Sequence, residues 1–261
     1  MGQRVDFSTN ASVYDRRHGA VLPPDVAEEL AQSGLLKPGA HVLDVGAGTG
    51  RVAIAFAGVG YQVTALDPAL RMLNELRVKA REHTVQLVAG EGARLPFASS
   101  RFDAVILART LYLMPDWKAV LREAYDVLQP GGGLFHEWGN GQADEAWVRI
   151  REKLRALLQD AGLETPFHPG ARSETEVDAV LQGLGFVRSK KLPIGPGPSM
   201  TLHDFVGRIA TGEFSYVWNI PTHVQESCIP LLSKWCEDTF DLEQSFPVPR
   251  ELEWTIYRKR S

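Results

Sequence analysis

Two carboxylates and a run of glycines stand at the ends of apolar segments, where together they can hold a nucleotide-like ligand. Val42-Leu43-Asp44-Val45-Gly46-Ala47-Gly48-Thr49-Gly50-Arg51 reads as a buried strand entering a glycine turn, and Gln62-Val63-Thr64-Ala65-Leu66-Asp67 reads as a second strand ending in an acid. If the two strands are parallel neighbours, their ends coincide, and the Asp67 carboxylate can offer both oxygens to the hydroxyls of a ribose. Gly46 and Gly48 let the backbone approach a ligand with no Cβ in the way, and the helix that follows offers free amides. The spacing is Gly-x-Gly-x-Gly, not the Gly-x-Gly-x-x-Gly of a nicotinamide-binding turn. That disfavours hydride transfer without excluding it.

Further candidates follow the later strands. Glu91-Gly92-Ala93 comes after the third apolar run, where a carboxylate can accept from an adenine amino group while the Gly92-Ala93 backbone addresses ring nitrogens; a solvated loop acid is the competing reading. Pro68 opens the helix after the second strand, and Met72 within it is placed to pack against a flat base. At the end of the fourth strand, the carbonyls around Ala108 and Arg109 can accept from an ammonium group. The Arg109 side chain either pairs with a carboxylate or lines a pocket mouth. His136 and Trp138 share one face of the fifth strand by alternation. A neutral imidazole at His136 can take a proton during catalysis; a packed or hydrogen-bonded strand-end histidine is the competing reading. Tyr112, His136, Trp138, His203, Tyr216 and Trp218 are the candidate walls of an acceptor pocket. The histidines and cysteines show no H-x-x-x-H or C-x-x-C spacing, so no metal is expected.

The elements needed to position these residues are present. Apolar runs near 41–45, 62–66, 85–89, 102–108 and 133–138 alternate with helical patterns, and strand patterns recur from Phe186 to about Ile194 and from Val248 to Arg258. Trp117, Val120, Leu121, Ala124 and Leu128 repeat at the spacing of one helical stripe. Such alternation implies right-handed crossovers and a mostly parallel, doubly wound α/β sheet. Helical segments at about 201–212 and 221–240 fall between the last two strands. One domain over 1–261 is expected, with an amino-terminal arm at 1–22 and a helical cap at 195–245 over one end of the sheet.

Composition narrows the function classes. The 261 residues, 44% of them hydrophobic, suffice for one substantial core. A formal charge of −4 gives no general electrostatic reason to expect nucleic acid or an anionic membrane as partner. Cys228 and Cys236 lie eight positions apart in a helical pattern, too far for a bridge that needs Cα atoms within about 7 Å. Reduced cysteines, no signal-like apolar run and no stretch of about eighteen apolar residues lead to the expectation of a soluble, cytoplasmic protein.

The ordered motifs resemble those of the class I S-adenosylmethionine-dependent methyltransferases, in particular the Methyltransf_11 or UbiE-like small-molecule group. The resemblance covers roughly Tyr14 to Trp138: Leu43 to Gly50 looks like motif I, Asp67 like the ribose-binding acid, and Glu91 to Phe97 like the adenine segment. Phe102-Asp103-Ala104-Val105 and Leu128-Gln129-Pro130-Gly131-Gly132 look like the motifs flanking strands four and five. That family more often has Asp at the position of Glu91. The resemblance implies a Rossmann-like, seven-stranded sheet with an antiparallel final strand, S-adenosyl-L-methionine as cofactor and S-adenosyl-L-homocysteine as product. It also implies a cofactor site that includes Asp44 and Ala47, with Tyr14 and Arg17 covering the methionine end. The expected reaction is in-line methyl transfer to oxygen or nitrogen of a partly apolar small molecule, by a monomer or homodimer. Carbon methylation, a nicotinamide oxidoreductase and a noncatalytic nucleotide-binding module remain open alternatives.

Overall fold

The computed structural model describes residues 7, 9–138, 145–163, 169–194, 199–218, 220–247 and 252–260. In chain order the first elements are α1 (Ala11–His18), α2 (Pro24–Ser33), β1 (His41–Val45), α3 (Ala53–Gly58), β2 (Gln62–Asp67), α4 (Leu70–Lys79), β3 (Val85–Ala89), β4 (Phe102–Ala108), α5 (Trp117–Val127) and β5 (Leu128–Glu137). There follow α6 (Glu145–Asp160), α7 (Glu174–Gly183), β6 (Phe186–Ile194), β7 (Ser199–Thr201), α8 (Leu202–Ala210), α9 (Thr222–Thr239), β8 (Ser245–Pro247) and β9 (Leu252–Lys259).

Seven strands form one sheet in the order β3-β2-β1-β4-β5-β9-β6. The ladders from β3 through β5 are parallel, and β9 runs antiparallel to β5, with Phe135 opposite Ile256 and His136 opposite Thr255. The expected Rossmann-like sheet with an antiparallel last strand is therefore the observed one. Strand order reverses between β1 and β4, and in such sheets the crevice at the carboxyl ends of those strands is where ligands bind.

Alternation along the strands sends side chains to two helical layers. Leu43, Val45, Val105, Leu107 and Leu134 pack with Trp117, Val120, Leu121 and Ala124 of α5 and with Val177 and Leu181 of α7. Phe135 faces the other way, against Phe56 of α3 at 6.3 Å between ring centroids and against the end of α2. With both faces covered, β1 and β4 need continuous β-branched and apolar runs, which is how HVLDV and FDAVILA read. Strand β5 begins at Leu128, five residues earlier than its apolar run suggests. Leu128 already pairs with Phe102, and a register shift between Phe102 and Ala104 absorbs the Pro130-Gly131-Gly132 segment.

Two compact units divide the chain. The larger comprises Phe7–Gly139, Gly170–Ile194 and Glu253–Ser261, and contains the sheet; the described residues of the smaller fall within 140–169 and 195–252. The smaller unit has its own core, in which Ile150, Leu154 and Leu158 of α6 meet Leu202 and Phe205 of α8 and Val224, Cys228, Leu232 and Cys236 of α9. Strands β7 and β8 pair antiparallel within it, a ladder absent from the sequence reading. Three-residue strands carry almost no alternation to read. Both cysteines are buried and unbridged. Among the described residues, no helix is long and apolar enough to cross a membrane.

Gly34, which ends α2, leaves room for the fully buried Phe135 ring, and a Cβ there would overlap it. Gly34→Ala should cost about 1–3 kcal/mol through forced repacking, read as a lowered midpoint in thermal unfolding.

Candidate functional site

The glycine turn and the acid meet as the parallel register requires. Val45 pairs with Leu66 at the ends of β1 and β2, and both Gly46 N and Ala47 N donate to the Leu66 carbonyl, at 2.8 and 3.1 Å. Asp67 accepts from Gly48 N at 2.9 Å through one oxygen and from Ala69 N at 2.8 Å through the other. Gly46 has φ +75° and abuts the Thr110 hydroxyl, a conformation and a proximity that a side chain would not tolerate. Above Gly48, by contrast, a Cβ would meet nothing within 4 Å, so the turn presents bare backbone to open space.

Asp67 is buried, which raises its carboxyl pKa, against the two amide hydrogen bonds that favour the ionised form; Glu91 adds to the rise. That electrostatic link places Glu91 beside Asp67, and Glu91 itself is exposed while Gly92 is buried against Val45. Pro68 is exposed. Met72 is buried, in a cluster with Ala11, Ala69, Phe7 and Tyr14. Helix α1 thereby rests on α4. Tyr14 is held within electrostatic reach of Arg51, Arg109, Asp67 and Glu137, and burial raises its pKa so that the phenol stays neutral. Arg17 belongs to α1, and its side chain lies outside the described residues. Lys79, at the end of α4, fastens the arm by donating to Asp15 Oδ1 and to the Gly19 carbonyl, each at 2.6 Å.

A second polar cluster lies at the ends of β4 and β5. Glu137 has a fully buried side chain and accepts from Arg109 Nε at 2.8 Å and from Arg51 Nη2. Arg109 adopts φ 55°, uncommon for a side-chain-bearing residue, and its amide donates to the Glu137 carbonyl at 2.8 Å. Ala108, half-buried, pairs with Glu137 across the β4–β5 ladder. Asp44 is 2% exposed, and burial pushes its carboxyl up to about 7, against Arg51 and the Ala53 amide from which it accepts.

Three of the proposed acceptor-wall residues are neighbours. Trp138 contacts Tyr112 edge-on at 6.1 Å and His136 at 6.0 Å. The Tyr112 turn is propped from afar, since Gly170 N and Ala171 N donate to the carbonyls of Tyr112 and Leu111 at 3.0 and 3.1 Å. His136 is 1% exposed, its Nδ1 has no hydrogen-bond partner among the described residues, and burial brings its pKa down to about 4. The imidazole is thus neutral at pH 7. His203, Tyr216 and Trp218 belong to the smaller unit. His203 is exposed on α8, Tyr216 stacks on Phe214 at 5.2 Å, and Trp218 donates to the Gly212 carbonyl at 2.8 Å.

Arg51, Glu137, Lys79 and Asp15 carry much of this arrangement and were not singled out from the sequence. Arg51 directly follows the glycine turn and Glu137 ends an apolar strand, which are position signals of the same kind as Asp67. Their pairing spans 86 residues and has no local signature.

The chain is similar to known proteins. A family described as a methyltransferase domain, Methyltransf_25, matches residues 42–132. The chain is 41% identical over 137 residues to the demethylmenaquinone methyltransferase of Listeria monocytogenes serovar 1/2a, covering 49% of this chain and 58% of that protein. It is 34% identical over 148 residues to the malonyl-[acyl-carrier protein] O-methyltransferase of Serratia marcescens, covering 55% and 56%. The chain thus spans a little over half the length of these curated relatives. The YcgJ protein of Bacillus subtilis shares the fold, with a TM-score of 0.60 at 20% identity over 91% of this chain and 99% of that one.

Two predictions follow from this geometry. Lys79→Ala removes a pair of partly exposed contacts worth about 1 kcal/mol, so hydrogen exchange of the α1 amides should rise about fivefold with little change elsewhere. The two buried titratable groups oppose each other in pH. Asp44, with a raised pKa, binds a proton more tightly in the folded chain, so its contribution to stability falls as pH climbs from about 4 to about 7; His136, with a lowered pKa, contributes stability that rises from about 4 to 6.5. Asp44→Asn should therefore tilt the melting temperature upward with pH across this window and His136→Gln downward, measured by calorimetry from pH 4.5 to 7.

Proposed function

We propose that this chain is a member of the class I S-adenosylmethionine-dependent methyltransferases, and that it transfers a methyl group from S-adenosylmethionine to oxygen or nitrogen of a partly apolar small molecule. The observation that carries the cofactor half of this reading is the Asp67 clasp on the glycine turn. Each Asp67 oxygen accepts one backbone amide and retains a lone pair for a ribose hydroxyl. The bare space over Gly48 admits the nucleoside close to the backbone. The residues present therefore fit this cofactor.

When bound, S-adenosylmethionine supplies a methyl group on a positively charged sulfur, already activated for displacement. What the chain must add is position and dryness. Asp67, with Glu91 nearby and the Gly92-Ala93 backbone, is assigned to the nucleoside. Tyr14 on α1 excludes water from the strand ends, with Met72 beneath the arm, and Arg17 is assigned to the same end of the ligand. The wall formed by Tyr112 and Trp138 is assigned to the acceptor. His136 is neutral and enclosed, which suits it to shaping that wall and makes it a weak base, so the acceptor proton is assigned to solvent instead. The names of the curated relatives, one acting on a demethylmenaquinone and one an O-methyltransferase, agree with a small or carrier-bound acceptor that is partly apolar.

Calorimetric titration with S-adenosylhomocysteine tests the reading. Micromolar binding that weakens at least about tenfold in Asp67→Ala, a loss of about 1.4 kcal/mol, is expected. Binding of NADH with no response to S-adenosylhomocysteine would overturn it in favour of hydride transfer.

A further inference from the structure

Resting on the methyltransferase reading above, we propose that the methyl acceptor is an aromatic molecule bearing an anionic oxygen group, a carboxylate or an ionised phenol, and that Arg109 recognises that group. Glu137 is a single carboxylate, fully buried, that faces two guanidiniums, Arg51 and Arg109. One carboxylate neutralises one of them. Asp67 is committed to the glycine turn through both oxygens. Asp44 accepts from the Ala53 amide and lies within reach of Arg51. Glu137 engages Arg109 only through Nε, so among the described residues the terminal nitrogens of Arg109 are the open end of the cluster.

Its hydrogen bonds show the same. Glu137 takes only the Nε of Arg109, and the two terminal nitrogens make no hydrogen bond among the described residues. Those nitrogens form the planar fork that binds carboxylates bidentately. The side chain keeps 30% of its surface exposed, against 17% for Arg51. The left-handed backbone of Arg109 is held by its amide bond to Glu137 O. Such strain persists only where surrounding contacts over-determine it, and it clusters at ligand sites.

The neighbours of Arg109 supply the rest of the chemistry. Tyr112 lies within its electrostatic reach and meets Trp138 edge-to-face. Tyr112 and Tyr14 are both held neutral by burial, so neither phenol supplies the missing counter-charge at physiological pH. An edge-to-face aromatic pair beside a half-satisfied guanidinium matches a planar ring with an anionic substituent. A wholly apolar acceptor would leave the terminal nitrogens desolvated and unpaired, at a cost comparable to a lost charged hydrogen bond.

The test uses 1-naphthoate and its neutral counterpart 1-naphthamide, titrated calorimetrically into the full chain saturated with S-adenosylhomocysteine. One charge-assisted contact predicts that naphthoate binds at least about tenfold tighter than naphthamide. In Arg109→Gln, titrated at an S-adenosylhomocysteine concentration that saturates the variant, the ratio should fall below about threefold. Arg109→Lys, which keeps the charge, should retain a preference for naphthoate and guards against a folding defect in the Gln variant. Equal affinity for the two probes, including no binding of either, overturns the proposal. So does a preference that survives Arg109→Gln. Loss of S-adenosylhomocysteine binding in Arg109→Gln with the naphthoate preference intact would instead place the guanidinium against the cofactor, and would also overturn it. Failure of the parent protein to bind S-adenosylhomocysteine is a separate result that removes the methyltransferase reading itself.

Discussion

Burying a carboxylate costs several kcal/mol unless cations and hydrogen bonds replace its water, and Glu137 is buried completely at the end of β5. Arg51 reaches it from the turn after β1, and Arg109 reaches it from the end of β4. Three strand ends are thereby tied together at the switch point of the sheet, where the strand order turns from β1 to β4. Removing Glu137 would take from both guanidiniums the carboxylate that joins them. The geometry of the whole polar crevice depends on this cross-link: it fixes the left-handed turn at Arg109, and Tyr14 is held within reach of all three groups.

The second restraint is the Asp67 carboxylate, which holds the glycine turn from the side of β2. A residue usually read as a ligand contact is here also a structural one. The two roles are compatible because a carboxylate has about four acceptor positions and the turn uses two. It also explains why a partly desolvated acid is tolerated, since the backbone amides stabilise its ionised form against burial.

Not every titratable group in the crevice is suited to chemistry. His136 faces the α5 and α7 layer together with Leu134, is flanked by Leu107 and Thr255, and is enclosed enough to remain neutral far below pH 7. The strand alternation that puts it beside Trp138 is correct, yet that face is the packed one. An imidazole in this setting orders its aromatic neighbours more effectively than it exchanges protons.

Much of the larger unit is legible in the sequence, because its information is local. Continuous apolar runs mark strands covered on both faces, helical stripes mark the crossovers, and parallel register then forces Asp67 next to the Gly48 amide. The strand boundaries of β1, β3, β4 and β6 agree with the apolar runs for this reason. What the tertiary structure alone decided is pairing between distant polar side chains. Arg51, Arg109 and Glu137 are separated by 28 to 86 residues, Lys79 meets Asp15 across 64, and the amides of Gly170 and Ala171 prop the Tyr112 turn from a segment with no motif of its own. Hydrophobic periodicity records which face a residue presents to its own layer. It holds no record of which charge lies opposite across a crevice, and that choice is made only when the strand ends are assembled and water is excluded from between them.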